Sequence, residues 1–199
     1  GVQKCALPIY GLQLASGWFT GTLRECSVEQ EFENLRQMLT TFKALNAPVV
    51  IYAETSGSVQ SQQNIPVSQK PVMPDAEFPE YGRKLTEVAD RMADFGVRMS
   101  YHHHMGTVIE TEREIDLLME NTGTSVGLLI DTGHLGFANA DTEAITRRYG
   151  SRINHVHCKD IRQEIFKQVR EKDISFLDAV LEGVDRKSTR LNSSHSEIS

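Results

Sequence analysis

Apolar and polar positions along this chain alternate between two periods. A β-like stretch, "GLQLASGWFT", precedes a segment in which Phe32, Leu35, Leu39 and Phe42 recur at helical spacing. Ser27 opens that helix with Gln30 three residues on, a capping-box pattern. "APVVIYAET" is compact and apolar up to Glu54 and reads as a buried strand. Leu85, Val88, Met92 and Phe95 form the stripe of a second helix, stopped by Gly96, and "VRMSYHHH" is the next strand. Thr111 and Glu114 make another capping box ahead of Ile115, Leu118 and Met119. "VGLLID" is a strand, Asp141 caps a short helix through Tyr149, and "INHVHCKD" is a further strand. "ISFLDAVLEGV" reads as a last, interrupted helix.

Short, nearly all-apolar strands alternating with helices predict an α/β fold with parallel pairing. Five such strands suit either an open doubly wound sheet or part of a (β/α)8 barrel. Each strand ends in polar, chemically capable residues: Trp18, Glu54, His102 to His104, Asp131 to His134, and His155 to Asp160. Barrels draw their working residues from several strand ends at one mouth. A doubly wound sheet concentrates its site at one switch point, commonly with a glycine-rich phosphate loop, and neither GxGxxG nor GxxxxGK[ST] occurs here. A fragment of a TIM barrel is therefore the expectation.

Composition excludes several classes. Of 199 residues, 39% are hydrophobic and 24% charged, the balance of a globular chain rather than a disordered one. A net charge of -6 argues against a nucleic-acid surface, which calls for a basic stripe. No apolar run approaches the roughly 20 residues that cross a bilayer, and no signal peptide is read, so a cytoplasmic location is expected. Cys5, Cys26 and Cys158 are scattered, which suits a reducing compartment and lacks the spacing of a zinc knuckle.

Both ends carry a foreign signature. Ala6-Leu7-Pro8-Ile9 is encoded by GCTCTTCCGATC, whose reverse complement encodes Asp-Arg-Lys-Ser, the residues at 185–188. That string resembles a sequencing adapter, so residues 1–9 and 185–199 are expected to be non-native, leaving 10–184 as a partial catalytic barrel. His195, in the polar tail, is given no role.

The histidines carry the candidate chemistry. Side chains alternate across a strand, so His102 and His104 share one face and His103 takes the other; His155 and His157 likewise share a face. "DTGH" sets Asp131 at a strand end with His134 in the following turn. Imidazole nitrogen mixed with carboxylate oxygen from three neighbouring strands suits a divalent metal such as Mn²⁺, Co²⁺, Mg²⁺ or Zn²⁺. Tyr101 and His103 are expected to pack under the helices or bond backbone.

"AETSGSVQ", "YHHHMGT", "LLIDTGH", "HVHCKDIR" and "SFLDAVLEGV" together resemble the inosose dehydratases, bacterial enzymes of myo-inositol catabolism within the xylose-isomerase-like sugar isomerase/epimerase barrels. The resemblance runs from about Gly11 to Val184 and implies strands three to seven of an eight-stranded barrel. It further implies Asp131 and His157 as metal ligands. His102 stands where the superfamily usually has a strand-five carboxylate, which leaves open whether His102 or His104 binds. The strand-eight Glu of the family has no counterpart in this sequence. His134 matches a residue that contacts substrate oxygens, and Arg162 lies near a substrate-binding arginine.

The implied reaction is dehydration of 2-keto-myo-inositol to a trihydroxycyclohexanedione, with Mn²⁺ or Co²⁺ as cofactor and a cyclic polyol ketone as the partner. Glu54, His104, His134 and Lys159 are the acid and base candidates, and Trp18 is expected to wall the sugar ring. The glutamine-rich loop from Thr55 to Pro74 is expected to be a lid. A sugar or hydroxypyruvate isomerase/epimerase of the same superfamily, and an inactive truncated fragment, are the rival readings. An abasic-site endonuclease is disfavoured by the acidic charge. A homo-oligomeric longer parent is left open.

Overall fold

The computed structural model describes residues 13–186, with no side-chain description for Asp185 and Arg186. The 1–9 segment, Cys5, His195 and the tail beyond residue 186 lie outside the described residues. Five strands form one parallel sheet in sequence order: β1 (Trp18–Gly21), β2 (Val49–Glu54), β3 (Arg98–His102), β4 (Val126–Asp131) and β5 (Ile153–His157). Helices α1 (Val28–Ala44), α2 (Phe78–Phe95), α3 (Glu112–Glu120), α4 (Thr132–Phe137) and α5 (Thr142–Tyr149) lie between them. The chain is a partial TIM barrel.

Local chemistry sets the element boundaries. Ser27 accepts from Gln30 N at 3.2 Å, but the Gln30 side chain donates onward to Asn34, so that box is half made. At α3 the box is complete, with Thr111 and Glu114 bonding each other's backbone amides. Gly96 ends α2 at φ 100°, a left-handed position where a Cβ would be strained.

Outward strand residues and helix stripes make one core. Tyr52, Met99, Tyr101, Leu128 and Ile130 face Leu35, Leu39, Leu85, Met92, Ile115 and Leu118, all buried. Truncating one of these, Leu85 for instance, is expected to cost about 2–5 kcal/mol. The intervening strand positions Ile51, Ala53 and Leu129 are also buried, on the opposite face.

The ladder between β4 and β5 breaks once. Leu128 pairs with Ile153 but Leu129 pairs with His155, so Asn154 is bulged out of the count. Asn154 Nδ2 donates to the Met99 carbonyl at 2.8 Å, and a Cβ on Gly127 would stand 2.0 Å from that nitrogen. Glycine at 127 is what lets the side chain cross.

Beyond β5 the expected continuous strand does not form. Cys158 and Lys159 leave the ladder, and β6 (Asp160–Ile161) pairs antiparallel with β7 (Asp185–Arg186), the first two residues of the segment read as a tail. Between them α6 (Gln163–Lys172), which the apolar pattern had not revealed, precedes α7 (Phe176–Leu181). Among the described residues no helix is long and apolar enough to cross a membrane.

Candidate metal centre

The carboxyl ends of β3, β4 and β5 bring three imidazoles around one carboxylate. Asp131 ends β4 and is wholly buried. Its Oδ1 caps α4, accepting from the Gly133 and His134 amides at 3.0 Å each. Its Oδ2 faces His157 Nδ1 at 3.3 Å, His102 Nε2 at 3.6 Å and His134 Nε2 at 3.8 Å. Lys159 Nζ stands 2.8 Å from the same oxygen. Oδ2 makes no hydrogen bond of good geometry, and its one close partner is the Lys159 ammonium, an ion pair, with the three imidazole nitrogens further off.

Backbone carbonyls set the tautomers. His102 Nδ1 lies against the His103 carbonyl and His104 Nδ1 lies 2.8 Å from the Met105 carbonyl. A carbonyl can only accept, so each Nδ1 carries the proton and each Nε2 offers a lone pair. For His102 that lone pair points at the Asp131 carboxylate, an arrangement that is repulsive unless a cation lies between. A ring nitrogen donating to a backbone carbonyl while the other faces a cluster is the usual setting of a metal-ligating histidine.

Burial reinforces the pattern. Desolvation pushes His102 and His134 well below the ordinary imidazole value and His104 down to about 4, so all three are neutral at pH 7. Burial would push Asp131 up, but His157, His134, Lys159 and the His134 amide outweigh it and hold the carboxyl far below the usual range. Neutral imidazoles with an ionised carboxylate are the protonation states a divalent cation requires. One nitrogen each from His102 and His134 and one Asp131 oxygen lie within 4.8 Å of one another. The donor set fits a divalent metal.

Residues 2–185 match the xylose isomerase-like TIM barrel family. The chain belongs to this family. It is 49% identical over 181 residues to the rhizopine catabolism protein MocC of Rhizobium meliloti, covering 91% of this chain and 56% of that protein. It is 39% identical over 185 residues to an inosose dehydratase of Geobacillus thermodenitrificans, covering 92% of this chain and 62% of that enzyme. The chain thus spans roughly three-fifths of the length of these relatives. Among solved structures, an IOLI protein with a bound zinc atom superposes with TM-score 0.57 and 18% identity, over 87% of this chain and 62% of that one. At that identity the likeness speaks for the family's fold alone.

Of the residues singled out in the sequence, the structure brings Trp18, His102, His104, Asp131, His134, His157 and Lys159 to one mouth. The Trp18 ring lies 5.4 Å from His102 and 5.7 Å from His104, edge-on, and is 37% exposed. His134 does not sit in a loose turn; it is in the first turn of α4, its ring 3.9 Å from His104. His103 faces away and accepts from Asp131 N at 3.3 Å, bonding backbone as expected.

Two residues are not brought there. Glu54 shares the strand parity of Tyr52 and is buried with its oxygens on the Arg24 and Ser56 amides, at 3.2 and 3.0 Å. Arg162 is exposed and its Nη1 donates to the Gly183 carbonyl at 2.9 Å. Conversely, Phe176 was not anticipated. It opens α7 and its ring lies 5.2 Å from His104 and 5.5 Å from His134. An aromatic at the first position of a helix reads as ordinary packing, and "SFLDAVLEGV" marked the segment only as part of the resemblance.

The glutamine-rich loop is tied to the Phe176 segment rather than free. Pro66 bridges to Ser175, Gln63 Nε2 donates to Asp178 at 3.2 Å, and Ser68 donates to Asp173 at 2.6 Å.

Proposed function

We propose that this chain carries most of the metal-binding mouth of a dehydratase that converts 2-keto-myo-inositol to a trihydroxycyclohexanedione. The buried Asp131 Oδ2, ringed by His102, His134 and His157 with only the Lys159 ammonium closer, is the observation that carries this reading. Similarity to proteins named inosose dehydratase, at 36–39% identity, supports the choice of substrate.

His102, Asp131, His134 and His157 would hold the ion; their mixed nitrogen and oxygen donors suit a divalent metal, and the resemblance points to Mn²⁺ or Co²⁺. When bound, it supplies Lewis-acid polarisation of the ketone oxygen. The residues of the chain do the rest. His104, neutral with Nε2 free, is placed to take the acidic proton next to the ketone. Lys159 Nζ is a cation at the mouth, able to give a proton to the β-hydroxyl as it leaves as water. Trp18 and Phe176 flank the space between them and present apolar faces to the C–H side of a polyol ring. This proposal moves His134 from substrate contact to the metal, and gives Glu54 and Arg162 no part in the mouth.

Incubating the full-length protein with 2-keto-myo-inositol and each metal tests the reading. Ultraviolet absorbance of the dione is expected. A product that is only an epimer of the substrate would overturn dehydration in favour of the isomerase/epimerase chemistry of the superfamily.

A further inference from the structure

Lys159 stands nearer Asp131 Oδ2 than any of the proposed histidine ligands does. Its Nζ lies 2.8 Å from Asp131 Oδ2 and 3.3 Å from His134 Nε2, two atoms of the proposed donor set. We infer, resting on that reading, that Lys159 is an internal cation of the centre, exchanged for the divalent ion when it binds, and that it thereby sets how weakly the site holds metal.

The seat of the lysine is built into the fold. Its backbone is fastened at both ends to one side chain: Lys159 N donates to Thr132 Oγ1 at 2.9 Å, and the Thr132 hydroxyl donates to the Lys159 carbonyl. Its stem lies over Gly133, where a Cβ would stand 2.7 Å from Lys159 Cβ and 3.2 Å from Cδ. Glycine at 133 leaves room for the lysine, just as glycine at 127 leaves room for Asn154.

Physics makes the two cations exclusive. Like charges a few ångströms apart in a protein interior repel strongly, so an ammonium and a divalent ion compete for one carboxylate oxygen. The lysine has a way out, because its side chain is 22% exposed while Asp131 is fully buried. Displacement carries the ammonium towards the mouth, where His104, Trp18 and Phe176 converge.

The test is calorimetric titration of Mn²⁺, Co²⁺ and Zn²⁺ into the chain and its variants. Lys159→Met is expected to bind each ion roughly tenfold tighter or more, because it removes the competitor. Lys159→Arg keeps the charge and is expected to stay near the unaltered chain, which a merely structural role for the stem would not require. Should Lys159→Met bind no tighter while Asp131→Asn binds more weakly, the exchange falls and the metal centre stands. Should Asp131→Asn bind as well as the unaltered chain, the metal centre itself falls. A second measurement needs no substitution: amine labelling of Lys159, followed by mass spectrometry, is expected to accelerate when metal is added. Unchanged labelling at saturating metal overturns the exchange.

Discussion

Two wholly buried carboxylates, Glu31 and Asp131, stand on opposite faces of the sheet and are treated differently by their surroundings. Glu31, on α1, meets only donors. Tyr52 Oη donates to Oε1 at 2.6 Å, Thr22 N to the same oxygen at 2.9 Å, and Thr22 Oγ1 and Cys26 Sγ approach Oε2 at 3.4 and 3.5 Å. Asp131 satisfies one oxygen through the α4 amides and leaves the other, without a hydrogen bond of good geometry, facing imidazole nitrogens and the Lys159 ammonium. A buried polar group that serves stability finds its partners within the chain, since an unmet one costs about 1–3 kcal/mol. The half-satisfied group is the one that expects a ligand from outside.

Substitutions that split these roles should give the largest contrast. Asp131→Asn is expected to weaken divalent-metal binding by roughly 100-fold or more, above the 10–100-fold that outer partners of a metal site cost. Glu31→Gln should leave metal affinity unchanged within about twofold, read by the same calorimetry. Equal metal affinity in both variants would break the comparison.

The register between β4 and β5 comes next. Gly127→Ala would place a Cβ 2.0 Å from Asn154 Nδ2, forcing Asn154 off the Met99 carbonyl and disturbing the bulge. Metal affinity is expected to fall by about tenfold as His157 loses its alignment with Asp131, with stability lowered by about 1–3 kcal/mol. Unaltered binding in a destabilised variant would show that His157 is dispensable.

Smaller again, Tyr52→Phe removes one donor from Glu31 and is expected to cost about 1–2 kcal/mol in denaturant unfolding, with metal binding intact.

Acidity offers a last contrast, on chain stripped of metal. His103 and His104 sit at about 4 through burial, below the unfolded value of 6.5, and His102 and His134 are lowered as well. The unfolded chain therefore binds more protons below pH 6.5, so stability is present above that value and is lost as pH falls towards 4. Glu110, raised by burial to about 7, and Glu54, also raised by burial, work the other way above 4.5 but are two groups against these four imidazoles. The melting temperature should fall across that window; a flat profile would mean that the imidazoles are not desolvated.

Legibility followed the range of the interaction. The strand–helix alternation, the cap of α3, the stop at Gly96 and the opposed faces of His102 and His103 rest on neighbours within a few residues, and all were readable. What escaped depended on distant partners. Glu54 ends an apolar strand as Asp131 does, yet its amide bonds to Arg24 and Ser56 and its parity with Tyr52 turn it away from the mouth. Phe176 reaches His104 only because α6, unread in the sequence, brings it back. Arg162 lies near the position of a substrate-binding arginine, at looser spacing, but its guanidinium turns to Gly183.

The sequence by itself determined the barrel strands, their order in the chain and which histidines share a face, because side-chain parity along one strand is a local property. Only the tertiary structure decided which face of β5 meets Asp131. In unbroken register Asp131 would oppose Val156; the bulge at Asn154 shifts the count by one and sets His157 against it instead. A one-residue slip exchanges every side chain between faces, and that slip is fixed by a contact from Asn154 to a strand fifty-five residues away.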